Sequence, residues 1–336
     1  MRHKPLALLV LVLACLAVPA AGHAATLKVG MSENNPQMFA DPNYHALGAK
    51  ITRIVVAYNT VEAAAAGDDE LSSRIQPYLA AAGALGIEPL VTFQHARGAG
   101  ELCRSDRSLP QCRLPSAAEY ERALRAFLTM FPSVRVIAPW NEANHNTQPT
   151  ARSPKSAARF TRIAERVCSE LGRGCSIVAV DLLDQADNVA AKRPKFKSLK
   201  RWVKRFKRAY KGRLNICGLH TYSDVNRFRM AGTKAMMKAL KCKRYWLTES
   251  GGLYDFGSFW GKTNRKRYKC KNAQACQLKA TKFMFKLIKR NKRIERAYVH
   301  SYYGSHAPRF DAGIVKGSPG ERTVPRRAYR YLRKKI

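Results

Sequence analysis

Eight short apolar runs, separated by stretches with helical periodicity, set the strongest constraint on this chain. The runs are TLKVGMSEN (26–34), ITRIVVAYN (51–59), EPLVTFQHA (88–96), VRVIAPWNE (134–142), SIVAVDLLD (176–184), NICGLHTYS (215–223), RYWLTESGG (244–252) and RAYVHSYYG (296–304). Several are near-continuous rather than alternating, the pattern of parallel strands buried on both faces. Amphipathic stretches at 70–86, 116–131, 156–172 and 273–290 lie between them. Ser116, with Glu119 three residues on, predicts a capping box at one helix start. Eight strand–helix units predict an α/β chain folded as a single (β/α)8 TIM barrel. A doubly wound open sheet is the rival, and it lacks a G-x-G-x-x-G after the first strand. No repeat, low-complexity linker or second domain is apparent.

The N-terminus has a different grammar. MRHKPLALLVLVLACLAVPAAGHA (1–24) has a basic start, an apolar run and small residues at its end. This reads as a secretory signal peptide, leaving 25–336 as the barrel and predicting an extracellular protein. No later stretch is long and apolar enough to span a bilayer. Cys15 falls in the leader, and the other eight cysteines fall into neighbouring pairs: Cys103/Cys112, Cys168/Cys175, Cys217/Cys242 and Cys270/Cys276. In an exported chain an even set points to disulfides, and these four local bridges are the favoured connectivity. No Cys-x-x-Cys or His-rich spacing supports a metal site.

Charge is distributed unevenly. The formal net charge is +38, with 13 Lys+Arg against 12 Asp+Glu in residues 1–150 and 48 against 11 in 151–336. The densest segment is RPKFKSLKRWVKRFKRAYKGR (193–213), which as a helix gathers Trp202 and Phe206 on one side. It reads either as a solvated outer helix or as a face for an anionic wall polymer or acidic polysaccharide. Nucleic acid is disfavoured, because neither aromatic–basic repeats nor zinc spacing accompany the charge.

In a barrel of this kind reactive groups sit where strands end. Glu142 ends the fourth run and Glu249 the seventh, 107 residues apart, or about 36 per unit over three units, which is a normal unit length. The repeat predicts both at one mouth, and alternation of Ala138, Trp140, Glu142 and of Tyr245, Leu247, Glu249 predicts matching parity. Two facing carboxylates are what glycosidic cleavage requires, one protonated to serve the leaving oxygen and one ionised. Singly, Glu142 reads equally well as an exposed acid and Glu249 as an ion-pair partner. GSFWGKT (257–263) is no phosphate loop, having three residues between its glycines instead of four. Neither His-Glu-x-x-His nor Gly-x-Ser-x-Gly occurs, so zinc peptidase and serine hydrolase chemistry lack support.

The motif WNEANH resembles the Asn-Glu acid/base motif at the end of strand four in clan A glycoside hydrolases, and WLTESGG resembles their nucleophile strand. The clan includes cellulase-like and family 39-like β-glycanases. The resemblance implies a retaining, double-displacement hydrolase of β-linked glycans. Glu142 would be the acid/base, Glu249 the nucleophile, and Asn141 the residue holding the sugar 2-hydroxyl. Arg53 is similar to a strand-two arginine that bonds the nucleophile, and His95 to a strand-three histidine near the sugar. His220 and Tyr222 resemble a His-x-Tyr pair whose tyrosine touches the nucleophile. The chain departs from the pattern at Ala143, where proline is usual, and at strand eight, where HSYYG replaces a platform tryptophan. His300 or Tyr302 would then form the sugar-stacking floor, Trp140 would stack on sugar or pack beneath Glu142, and Trp260 would line a distal subsite. No cofactor or metal is implied, and the partner is a poly- or oligosaccharide. The alternative is a non-catalytic barrel that binds carbohydrate or an anionic surface.

Overall fold

The computed structural model describes residues 26–99, 102–106, 108–189, 191–304 and 310–336. The expected leader and Cys15 lie outside them. Eight parallel strands close into a barrel: β1 Lys28–Ser32, β2 Ile51–Ala57, β3 Glu88–Gln94, β4 Val136–Ala138, β5 Ser176–Leu183, β6 Ile216–His220, β7 Arg244–Ser250 and β8 Ile294–His300. Each pairs with the next in order, and β8 returns to β1 through five consecutive pairs from Lys28–Arg296 to Ser32–His300. Each expected run therefore contains a strand, usually shorter than the run because the strand ends open into loops.

Alternation along the strands splits the apolar residues into two layers. Ile51, Leu90, Val136, Ala138, Val178, Ile216, Trp246 and Tyr298 come from seven strands and pack together inside the barrel. The opposite faces pack outward against the helices in one continuous core. The expected helices form as Gln76–Ala84, Ala117–Met130, Pro154–Glu170 and Ala273–Lys289, the first preceded by a single π turn at Leu71–Ile75. Ser116 and Glu119 make the predicted reciprocal cap. The basic segment folds as the helix Lys197–Tyr210, which buries Leu199, Trp202, Val203, Phe206 and Tyr210 and turns its charged face to solvent. At about 25 cal/mol per Å² of apolar surface, burial of such an aromatic stripe holds the helix despite its repelling charges.

All four expected disulfides are present, at Cys103–Cys112, Cys168–Cys175, Cys217–Cys242 and Cys270–Cys276. Among the described residues no helix is long and apolar enough to cross a membrane. Glu33, just past β1, accepts backbone N–H bonds from Asn34 and Asn35 with one oxygen and from Tyr302 and Tyr303 with the other. That carboxylate ties the β1 and β8 exits together at the barrel mouth.

Candidate active site

Glu142 does not lie on a strand. Pro139 has no N–H for the ladder, so β4 ends at Ala138 and the parity expected for Trp140 and Glu142 does not apply. The chain instead turns, with Glu142 at φ +42°. For a residue with a Cβ this left-handed conformation costs about 1–3 kcal/mol. It is held from both sides: Asn141 N–H donates to the Phe93 carbonyl at 2.6 Å and Ala143 N–H to the Asp181 carbonyl at 2.9 Å. The Asn144 side chain clamps the same loop to β5, accepting from Leu183 N–H at 2.9 Å and donating to its carbonyl at 3.0 Å.

Glu249 arrives by another irregularity. Tyr245 and Leu247 face the helices, while Trp246 faces the interior. Strict alternation would send Glu249 outward with Tyr245 and Leu247, contrary to the expectation of a shared active-site face. The β7–β8 register shifts between Leu247 and Ser250, and this re-aims Glu249 into the mouth. β5 does the same for Asp181, with a shift between Val178 and Asp181. Gly218 on β6 makes room for the arrangement. A Cβ there would fall 2.2 Å from Asp181 Oδ1 and 2.6 Å from Thr248 Oγ1.

Arg53 is the hub. It is fully buried, and Nη1 donates to Glu249 Oε2 at 2.6 Å and to Ser32 Oγ at 3.0 Å. Nη2 donates to Asn141 Oδ1 at 2.7 Å and to Asp181 Oδ2 at 3.3 Å, and Nε donates to Thr92 Oγ1 at 3.1 Å. Tyr222 Oη donates to the other Glu249 oxygen at 2.7 Å. His220 bridges two acids: Nδ1 is 3.0 Å from Glu142 Oε1 and Nε2 is 3.1 Å from Asp181 Oδ2. Thr248 Oγ1 donates to Asp181 Oδ1. His145 Nδ1 lies 3.6 Å from Glu142 Oε2 and 2.7 Å from Thr147 Oγ1.

These contacts fix the charge on Glu249 and its neighbours. Burial alone pushes the Glu249 carboxyl up, but the charges of His300, His220 and Arg53, with the Tyr222 bond, outweigh it and hold the group well below the usual carboxylate range. Burial opposes charge on His220, yet Asp181 and Glu249 raise it to about 10, which favours a ring that donates from both nitrogens. Burial and the Glu249 charge lift the Tyr222 hydroxyl far above its ordinary value, so it remains a donor.

Glu142, His220 and Glu249 each bring one donor atom within 4.8 Å of the others. That distance suits a metal trio, but both His220 nitrogens already face acid oxygens, at Glu142 and Asp181, and Arg53 already pairs with Glu249. The donor set fits proton chemistry better than a divalent ion.

Arg53, Asn141, Glu142, His220, Tyr222 and Glu249 thus meet in one network. His300 stands at its edge, with Nδ1 at 3.1 Å from the Ser32 carbonyl and its ring 6.2 Å from that of Tyr222. His95 is half-buried, with Nδ1 3.1 Å from its neighbour's carbonyl at Ala96, and it makes no hydrogen bond to the network. Trp140 packs inward: it is 3 % exposed, stacks on Phe160 and Tyr58, and donates Nε1–H to Gln148. Tyr302 does not form the expected floor. It is 0 % exposed, and its ring packs edge-on against Tyr44. Trp260 likewise packs inward, in the cluster around Cys270 and Cys276. The rings beside the site are Phe310, 5.4 Å from Tyr222, and Phe256, 5.8 Å from Phe310. Sequence reasoning missed Phe310, and it missed Asp181, whose signal was an acid in the middle of the apolar run SIVAVDLLD, three residues before the one that ends it.

No family model matches this chain, and no curated protein sequence does. Solved structures do. A family 10 xylanase from Bispora sp. MEY-1 with xylobiose superposes with a TM-score of 0.63 at 13% identity, covering 93% of this chain and 97% of that one. A β-glucosidase from Thermotoga maritima in complex with deoxynojirimycin gives 0.55 at 13%, covering 92% and 97%. A psychrophilic family 10 endo-β-1,4-xylanase gives 0.56 at 13%, covering 92% and 96%. At these identities the likeness is one of fold, and it extends over nearly the whole of each chain: the protein has the (β/α)8 barrel of these glycoside hydrolases.

Proposed function

We propose that the protein is a secreted retaining glycoside hydrolase acting on β-linked glycans. The observation that carries the reading is the close approach of Glu142 and Glu249, with oxygens within 4.8 Å, at one barrel mouth. Retaining enzymes hold their carboxyl groups about 5–5.5 Å apart and inverting ones about 6.5–9.5 Å, so the spacing supports double displacement. The glycosidase folds of the structural neighbours support the same class of reaction.

In this mechanism Glu249, ionised and fixed by Arg53 and Tyr222, attacks the anomeric carbon while Glu142 gives its proton to the departing oxygen. A glycosyl ester on Glu249 results. Glu142 then takes a proton from water as that water attacks the anomeric carbon, and Glu249 departs as carboxylate. Asn141 Oδ1 is occupied by Arg53, which leaves the amide N–H₂ to donate to the sugar 2-hydroxyl. His300 and Phe310 line the approach, with Phe310 the better stacking surface. The four disulfides support export, and the basic outer helices support retention on an anionic polysaccharide.

The test is Glu249→Gln on a panel of neutral and acidic β-glycans. Turnover should fall by on the order of 10⁴-fold or more while glycan binding persists. Binding without turnover in the unaltered protein would instead identify a carbohydrate-binding barrel.

A further inference from the structure

A cavity of about 620 Å³ opens between the loops that follow β4 and β5 and the Lys197–Tyr210 helix. Its walls include Asn144, Arg152, Asp187, Arg201, Trp202 and Arg205. Three features make it more than a gap. First, it is large enough for a sugar ring, since ligand pockets run about 300–1,000 Å³ whereas one water takes about 30 Å³. Second, its three arginines are exposed, and none makes a hydrogen bond or ion pair through its side chain among the described residues. The one acid in the wall is already committed, because Asp187 accepts Lys197 N–H at 2.6 Å and Ser198 N–H at 3.1 Å. Third, the floor is rigid: Trp202 is 7 % exposed and stacks on Phe206 at 5.6 Å and 12°.

Asn144 joins this cavity to the catalytic centre. It stands two residues beyond Glu142 and is pinned to Leu183 by both of its side-chain hydrogen bonds. The cavity and the carboxylate pair therefore share one fixed loop at the same end of the barrel. Free guanidinium forks beside a ring-sized space match a planar carboxylate carried on a pyranose.

We propose that this cavity is a subsite for an acidic sugar residue of the glycan, removed from the bond that is cut. The assignment rests on the glycosidase reading and names its substrate class: a β-glycan bearing carboxylates.

The experiment measures binding calorimetrically, in the Glu249→Gln protein so that nothing is cleaved, at fixed physiological salt. The probes are oligomers of β-linked glucuronate, of β-linked mannuronate and of glucuronate-bearing xylan, each beside its methyl ester, with inorganic sulfate as a bare anion. At least one oligouronate should bind about tenfold more tightly than its ester and than sulfate. Arg201→Ala with Arg205→Ala should erase that preference. Lys200→Ala with Lys204→Ala removes the same charge from the same helix outside the cavity, and it should leave the preference within about twofold. Equal affinity for every acid and its ester, equal affinity for sulfate, or equal losses in the two double variants would overturn the proposal. Turnover of a neutral aryl glycoside is measured separately in the protein with Glu249 intact. Its absence would count against the glycosidase reading and leave the binding result standing.

Discussion

Arg53 Nη1 lies 2.6 Å from Glu249 Oε2, and this contact joins the second strand to the seventh across the barrel interior. The arginine is wholly buried and also serves Asp181 and Asn141. Removing the arginine leaves Glu249 and Asp181 without their shared guanidinium in a buried site, which costs about 3–5 kcal/mol. Arg53→Met should therefore lower the thermal midpoint by many degrees and abolish turnover. Arg53→Lys keeps the charge but not the fork, and it should recover most of the stability and little of the activity. Thermal denaturation and single-turnover kinetics on both variants check this. A stable, active Arg53→Met would remove the arginine from the centre of the site.

The depressed Glu249 carboxyl makes a second expectation, at low pH. Its ordinary value in an unfolded chain is about 4.3, and in the folded protein it lies well below that. The unfolded state therefore takes up this proton first. The stabilisation it confers is present above pH 4.3 and is lost as pH falls through the folded value. Urea midpoints measured from pH 6 downward should drop below about pH 4, and Glu249→Gln should flatten part of that slope. An identical slope in the variant would mean that other carboxylates carry the acid sensitivity.

His220 gives the opposite sign. Its folded value is raised to about 10, against about 6.5 unfolded. Its contribution is complete below pH 6.5 and is lost as pH rises through about 10. Nitrogen-15 spectra should show both ring nitrogens protonated at pH 8, and stability should decline across that window. His220→Gln should remove the decline. A neutral ring at pH 8 would mean that Asp181 and Glu142 do not hold the proton, and the bridge between them would have to be redrawn.

The barrel was legible because eight apolar runs at regular spacing leave few ways to bury both faces of a parallel strand. Glu142 and Glu249 were legible as strand-end acids, but the route by which they meet was not. Parity along β7 predicts Glu249 beside Leu247 on the helix side, and only a register shift turns it inward. Such a shift depends on how β6, β7 and β8 pack together, and no residue of WLTESGG announces it. Asp181 stayed hidden for the same reason. Tyr302 looked available because aromatic residues near a strand end suit sugar faces. Whether such a ring points to the mouth or into the core is decided by neighbours such as Tyr44, some 260 positions away, so the sequence pattern alone could not exclude it.

The division of labour between the two glutamates is open to direct test at Glu142. A general acid matters in proportion to how badly the leaving group needs its proton. Glu142→Ala should slow cleavage of an unactivated β-glycan by about 10²–10⁴-fold, while formation of the glycosyl-enzyme from a nitrophenyl glycoside should fall far less. The second step needs Glu142 as base, so the ester on Glu249 should accumulate and appear as a burst of nitrophenol. Added azide needs no base and fits the space left by the missing carboxylate, so it should speed turnover and give a glycosyl azide of retained configuration. Equal losses on both substrates, with no burst and no azide effect, would mean that Glu142 positions substrate and that the proton comes from another group, with His220 at 3.0 Å and His145 at 3.6 Å from Glu142 the candidates.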